Sequence, residues 1–246
     1  MIDPAGLPAT DVEWNGAVRI IRSLYPPIDL FEDIADPADW PLLASAEQKT
    51  NPRLMETIGN LDLVPEHRRV GGPGASYLMA PFTHSSPDRP SRFSDGRFGV
   101  LYVGDRVEVA MMETIHHHAR FMLATREAPG WTSQFRELFL DVKAHLQDLR
   151  GGDPAYAPLL HPDNYSPAQT LGHALKSSGS EGLIYLSVRQ PGGECAALFY
   201  PDLAANIRQG RHLDYHWNGE RVDYIRDGAS GHTFYVVMGE TQGNPS

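Results

Sequence analysis

Five residues of this 246-residue chain have types and settings suited to chemistry: Arg19, Arg92, Glu113, Ser187 and Arg189. Arg19 interrupts the apolar run Ala17-Val18-Arg19-Ile20-Ile21, and Arg92 follows a turn-like loop in Pro90-Ser91-Arg92-Phe93. Ser187 and Arg189 stand two apart, between the hydrophobic run Leu183-Ile184-Tyr185-Leu186 and Pro191-Gly192-Gly193. They share one face if the strand continues that far. Glu113 belongs to "VEVAMMETIHHH", off an apolar stripe of Val107, Met111, Ile115 and Met122, one turn from His117 and two from Arg120. Two or three guanidinium groups gathered in one cleft can hold a small anionic ligand. Taken singly, Glu113 also reads as a solvated acid and Arg19 as a solvent-facing strand residue, because periodicity does not show where a cleft lies.

Other reactive side chains point to less. His116, His117 and His118 are consecutive, and on a helix their side chains diverge by ~100° each, so they do not share one metal. No H-E-x-x-H and no G-x-S-x-G occurs. Cys195 lies in a strand-like run, where a small buried hydrophobe is the default. The glycine-rich "GGPGAS" follows no clear strand and opens no evident helix, so neither dinucleotide nor P-loop fingerprint applies. No metal is expected.

The hydrophobic fraction of 41% is enough to fill a core. No run approaches the ~18 apolar residues of a membrane span, and "MIDPAGLPATDVEWNG" does not read as a signal peptide. A single cysteine excludes an internal disulfide. The expected location is the cytoplasm. A net charge of −10 argues against a nucleic-acid surface, which needs clustered Lys and Arg.

The elements that must position these residues alternate hairpins with isolated helices, which predicts one α+β domain rather than a doubly wound sheet. Residues 1–16 read as a loose arm, 17–246 as the domain, with an insert at about 28–60 carrying one or two short helices broken at Pro52. Strands are predicted at 18–21, near 77–79, at 98–104, within "SQFRELFLDV", at 183–186 and at 195–199. A helix follows Asp105, which with Glu108 makes a box-like start. A second starts with Ser166 as cap and Pro167 at its first position and ends around Gly179. "HLDYHWNGERVDYI" reads as a hairpin turning at Asn218-Gly219, and "HTFYVVM" as the last strand.

The order and spacing of "VRIIRSLYPP", "SRFSDGRFGVLYVGD", "VEVAMMETIHHH", "NYSPAQTLGHAL" and "GLIYLSVRQPGGECAALFYP" resemble the RES-domain family, the toxins of bacterial Xre–RES toxin–antitoxin pairs. The resemblance runs from about Ala17 to Pro201. It implies a compact fold similar to ADP-ribosyltransferase toxins, a central mixed or antiparallel sheet with flanking helices, and NAD+ as substrate. It implies breakdown of NAD+ by hydrolysis or phosphorolysis, with an Xre-type antitoxin as partner and phosphate as one conceivable acceptor.

Carried over by position, the family's residues fall on Arg19, Arg92, Tyr102, Glu113 and Ser187. Arg22 stands close to Arg19, and Arg97 close to Arg92, as alternatives; the ten-residue interval from Arg92 to Tyr102 fits the family spacing. On this resemblance Arg19 and Arg92, with Arg189 as a third, grip the pyrophosphate, and Glu113 stabilises the oxocarbenium-like carbon of glycosidic cleavage. Tyr102 offers a face for nicotinamide and Ser187 holds its carboxamide or the ribose. Ser166 and Gln169 are further polar contacts, Ser166 reading equally as a helix cap. Transfer of ADP-ribose to a specific protein, and a catalytically silent antitoxin-binding module, are the competing expectations.

Overall fold

The computed structural model describes residues 3–23 and 59–236. Eight strands form the sheet: β1 (Ala9–Arg22), β2 (Leu101–Gly104), β3 (Trp131–Asp148), β4 (Gly182–Leu186), β5 (Glu194–Leu198), β6 (Ala204–Trp217), β7 (Val222–Asp227) and β8 (Thr233–Tyr235). Their order is β1-β2-β5-β4-β3-β6-β7-β8, and β1 also pairs with β3. The first five strands of that order therefore close on themselves, while β6, β7 and β8 continue outward from β3. The β3–β4 pairing is parallel and the others are antiparallel. Among the described residues the α-helices are α1 (Ala75–Thr83), α2 (Val107–Thr125) and α3 (Ser166–Ser177). The architecture is the mixed α+β one that the sequence predicts.

Several local expectations change. The N-terminal arm is strand from Ala9 onward, paired residue for residue with β3 from Ala9↔Gln147 to Trp14↔Val142. Its polar residues alternate with Val12, which is buried, and Trp14, which packs on the core. A register shift between Trp14 and Ala17 follows, at Gly16, whose φ of +90° disfavours any side chain. The brief strand expected near Tyr77–Met79 is helical instead. Ala75, Leu78, Met79 and Phe82 are buried at helical spacing, and Gly74 at φ +79° starts that helix. The glycine-rich stretch thus does open a helix. The insert at about 28–60, with the helices expected there, lies outside the described residues except for Gly59 and Asn60.

Helix α2 starts at Val107 without a side-chain cap. Asp105 is engaged elsewhere, accepting from the Glu194 amide at 3.2 Å and from Arg106 Nη1 at 2.6 Å. The turn into α2 is tight because residue 104 is glycine: a Cβ there would meet Val109 and the Ala110 nitrogen at 3.0 Å. Helix α3 takes Ser166 as its first residue and Tyr165 as its cap position, one residue earlier than predicted. The hairpin turn at Asn218-Gly219 stands, with Asn218 Oδ1 accepting from the amides of Glu220 and Arg221.

Three apolar clusters hold the helices. α2 buries Met111, Ile115 and Met122 against Val18 and Ile20 of β1 and against Leu213, Tyr215 and Trp217 of β6. α3 buries Ala168, Leu171 and Leu175 against Leu183, Tyr185 and Phe199. α1 sits with Leu101, Leu140, Val142 and Leu198. Each fully buried Leu, Ile or Met contributes roughly 1.5–3 kcal/mol of transfer free energy, so the helices are anchored by their apolar faces and their polar flanks are left to other work.

Two outcomes follow from this packing. Gly172 of α3 lies so close to the 91–94 loop that a Cβ would fall 2.0 Å from the Phe93 carbonyl oxygen; Gly172→Ala is expected to cost about 1–3 kcal/mol, read as a lower midpoint in urea unfolding. His118 is 4% exposed, amid Phe121, Phe135 and Tyr215. Desolvation, with the charge of Arg22, lowers its pKa to about 4. The unfolded chain then binds this proton more readily, so the stability is complete above about pH 6.5 and is lost as pH falls toward 4. Acid titration of the thermal midpoint checks this, and His118→Leu flattens that limb.

Candidate functional site

A cleft of about 330 Å³ opens between β1, β2, β5 and α2, and its walls include Arg19, Arg92, Tyr102 and Glu113. Four residues separated by up to 94 positions in the chain thus meet in one hollow (Arg19 to Glu113). Each is delivered by a different element. Arg19 comes from the C-terminal part of β1, Tyr102 from β2, Glu113 from the flank of α2 opposite its buried stripe, and Arg92 from the loop that α3 packs against.

Glu113 is fixed by the strand end that follows β4. Ser187 Oγ donates to Glu113 Oε1 at 2.8 Å. The Ser187 Oγ in turn accepts from the amides of Arg189 at 3.1 Å and Gln190 at 3.0 Å. Both acceptor positions of the hydroxyl are therefore taken by the turn, and its one proton is directed at the carboxylate. Ser187 itself stands behind Glu113 and is not part of the cleft wall. The sulfur of Cys195 lies 4.0 Å from the same carboxylate oxygen. Burial, then the charge of Glu113, raises its pKa to about 12, so the thiol stays protonated and behaves as the buried hydrophobe its strand setting predicts.

Arg19 Nη1 donates to the Tyr102 carbonyl at 3.4 Å. Desolvation lowers its pKa to about 10, a fall that the nearby Tyr102 opposes; the guanidinium is charged at neutral pH. Arg92 is buried, donates to the carbonyls of His161 at 2.8 Å and Leu159 at 3.4 Å, and stacks 4.6 Å over the Tyr165 ring. The two alternative arginines lie elsewhere. Arg22 sits over Phe121 on α2, and Arg97 is exposed and paired with Asp95.

The Tyr102 hydroxyl is spent on the Arg92 loop. It bonds Ser91 Oγ at 2.9 Å and accepts from the Phe93 amide at 2.9 Å. Burial pushes its pKa up to about 12, so it remains a neutral phenol. Gln169 does similar work from α3, donating to the Ser91 carbonyl at 2.9 Å. Arg189 turns away from the cleft: Nη2 reaches His116 Nε2 at 2.8 Å and the Pro162 carbonyl at 2.5 Å. Desolvation and the Arg189 charge lower the His116 pKa to about 4, which suits a neutral ring accepting from a guanidinium. Ser166 is exposed and outside the cleft wall.

His117, Tyr165 and Tyr185 are among the wall residues that sequence reasoning did not assign to the site. The His117 signal was present, since it lies one turn beyond Glu113 on the same flank. Tyr165 and Tyr185 carry no signal in a single sequence, one being a loop residue and the other part of an apolar strand. Among the described residues no group of three or more His, Cys, Asp or Glu side chains is placed to hold a metal ion. No described helix is long and apolar enough to cross a membrane.

Known proteins bear on these residues to different degrees. The family model for the RES domain matches residues 66–218, more than half of the chain. A protein of Sinorhizobium fredii (strain NBRC 101917 / NGR234), named "Uncharacterized protein y4oC", is 28% identical over 226 residues, 90% of this chain and 92% of that one. Among solved structures, the M. tuberculosis MbcT–MbcA toxin–antitoxin complex contains a chain with 14% identity and a TM-score of 0.43, over 84% of this chain and 87% of that chain. That last likeness is too loose to bear on mechanism. The family match takes in Arg92, Tyr102, Glu113 and Ser187 and leaves Arg19 on the strand before it, and by that match the chain belongs to the RES-domain family.

Proposed function

We propose that this chain cleaves NAD+ at the bond between nicotinamide and ribose, as the toxin of a toxin–antitoxin pair. The observation that carries the reading is the convergence of one carboxylate, Glu113, with two guanidinium groups, Arg19 and Arg92, on a single cleft. NAD+ presents the complementary charges: a pyrophosphate for the guanidiniums and a glycosidic carbon that becomes positive as the bond breaks.

The cleft volume lies at the low end of the ~300–1,000 Å³ usual for small-molecule sites. It suits the nicotinamide–ribose end, with the rest of the dinucleotide passing toward the mouth. Nicotinamide departs with the electron pair of the C1′–N bond and becomes neutral. Positive charge then appears at C1′, and a carboxylate held by Ser187 is preorganised to stabilise it. Ser187, itself fixed by the two turn amides, holds Glu113 in place, so no reorganisation is needed when the charge develops. Arg19 and Arg92 supply charge for the pyrophosphate; Arg92 keeps further N–H groups beyond the Nη1 that holds the 159–161 backbone. Arg189 acts in this reading by bracing the Pro162 segment rather than by gripping phosphate. The partner is an antitoxin of the Xre type, and water or phosphate accepts the ADP-ribose.

Cells expressing the chain alone are expected to lose NAD+ rapidly. Purified Glu113→Gln, folded to the same degree, is expected to lose a factor of about 100 or more in nicotinamide release. Constant NAD+ during growth arrest would sink the reading. Labelled NAD+ separates the products: free ADP-ribose or its 1-phosphate is expected, and label on a protein band would assign transfer instead. Ser187→Ala removes one hydrogen bond to a charged group, worth about 1.5–3 kcal/mol. It is expected to slow turnover roughly tenfold to a hundredfold with little change in KM, measured by steady-state assay.

A further inference from the structure

We infer that His117 is the group that takes the proton from the water attacking ribose C1′, an inference that rests on the NAD+ reading above. His117 lies one helical turn beyond Glu113 on α2, on the same flank, and forms part of the same cleft wall. Its ring is exposed at the cleft rim. The neighbouring histidines are otherwise occupied: His116 Nε2 meets Arg189, and His118 is buried among aromatic rings. Apart from the edge-on contact with His116 at 5.4 Å, His117 is held by no hydrogen bond from the described residues, so a ring nitrogen is available to a ligand.

The remaining wall groups are poorly suited to this step. Glu113 is engaged by Ser187 and is needed as a negative charge beside C1′. Cys195 holds its proton, Tyr102 is committed to Ser91 and Phe93, and the guanidiniums are cations. His117 is neutral: although the residue is exposed, the protein mass around the cleft withdraws enough solvent to lower its pKa, and the charges of Arg189, Arg92 and Arg120 lower it further. A neutral imidazole accepts a hydrogen bond from water throughout the physiological range.

The step balances without a further reactant. The C1′–N bond breaks, and its electron pair returns to the pyridinium ring to release neutral nicotinamide. As a water oxygen gives a pair to C1′, the forming C–O bond makes its proton strongly acidic, and that proton moves in the same step to a His117 ring nitrogen and then to solvent, leaving ADP-ribose. Even a weakly basic imidazole takes a proton so activated, and the transfer lowers the barrier to attack.

Nicotinamide release by the whole chain, with and without azide, tests the assignment. His117→Ala is expected to be slower with water by about 100-fold, with NAD+ binding retained. Azide is an anionic nucleophile with no proton to lose, so it is expected to restore the variant to within a few-fold of wild type and to yield the azido adduct. His117→Gln, which keeps a hydrogen-bonding amide without basicity, is expected to be as slow as His117→Ala. Near-normal hydrolysis by either variant overturns the assignment, and so does a slow variant that azide fails to rescue, since that would mark a structural role. A wild-type chain that leaves NAD+ intact overturns the NAD+ reading itself and this step with it.

Discussion

The hydrogen bond from Ser187 to Glu113 is the contact on which the rest of the site depends. It links the end of β4 to the flank of α2, two elements joined by 74 positions of chain. A glutamate on a helix flank ordinarily swings through several rotamers, and fixing such a side chain costs up to about 2 kcal/mol of rotamer entropy. A hydroxyl whose lone pairs are already filled by two turn amides offsets that cost and sets the carboxylate's direction. The turn 187–190, a short connection between strands, thereby becomes the abutment for a charged group.

The opposite wall is built on a related plan. Arg92 reaches the cleft wall from a loop, and loops are mobile unless held. This one is held from three directions: by the Tyr102 hydroxyl on β2, by the Gln169 amide on α3, and by the close approach of Gly172 to the Phe93 carbonyl. In turn Arg92 and Arg189 hold the carbonyls of Leu159, His161 and Pro162. Two sets of polar groups thus add to the burial of Phe93 and Leu159 in fixing these segments beside the cleft.

Legibility in the sequence followed the range of the interactions. The helix of Glu113 and the stripe that turns Glu113 away from the core were readable from period alone. So was the Asn218-Gly219 hairpin, since both are local. Sequence leaves Arg22 open beside Arg19 and Arg97 beside Arg92, because strand alternation cannot tell a solvent face from a cleft; of the four, Arg19 and Arg92 line the hollow. Among the readings that failed, two have identifiable reasons. Residues 9–14 looked like a loose arm because their alternation is thin, with Val12 and Trp14 the only large apolar groups; the partner strand β3 supplies the rest. Residues 75–83 looked like loop and strand because Gly and Pro crowd their start, although Ala75, Leu78, Met79 and Phe82 already carried helical spacing. Arg189 reads from its residue type as a third guanidinium for phosphate beside Arg19 and Arg92, yet its partners His116 and Pro162 lie 73 and 27 positions away. No single sequence displays such a pairing.

The central claim is that Glu113 faces the glycosidic carbon of NAD+ while Arg19 and Arg92 hold its phosphates. A crystal structure of the chain with a carbocyclic NAD+ analogue, which keeps the shape but cannot lose nicotinamide, tests it most directly. The account predicts the Glu113 carboxylate within roughly 3–3.5 Å of the C1′ position or of the neighbouring ribose hydroxyls, with a phosphate oxygen bonded to at least one of the two guanidiniums. An analogue bound outside this cleft, or bound in it with its phosphates at Glu113 and its nicotinamide in solvent, would contradict it.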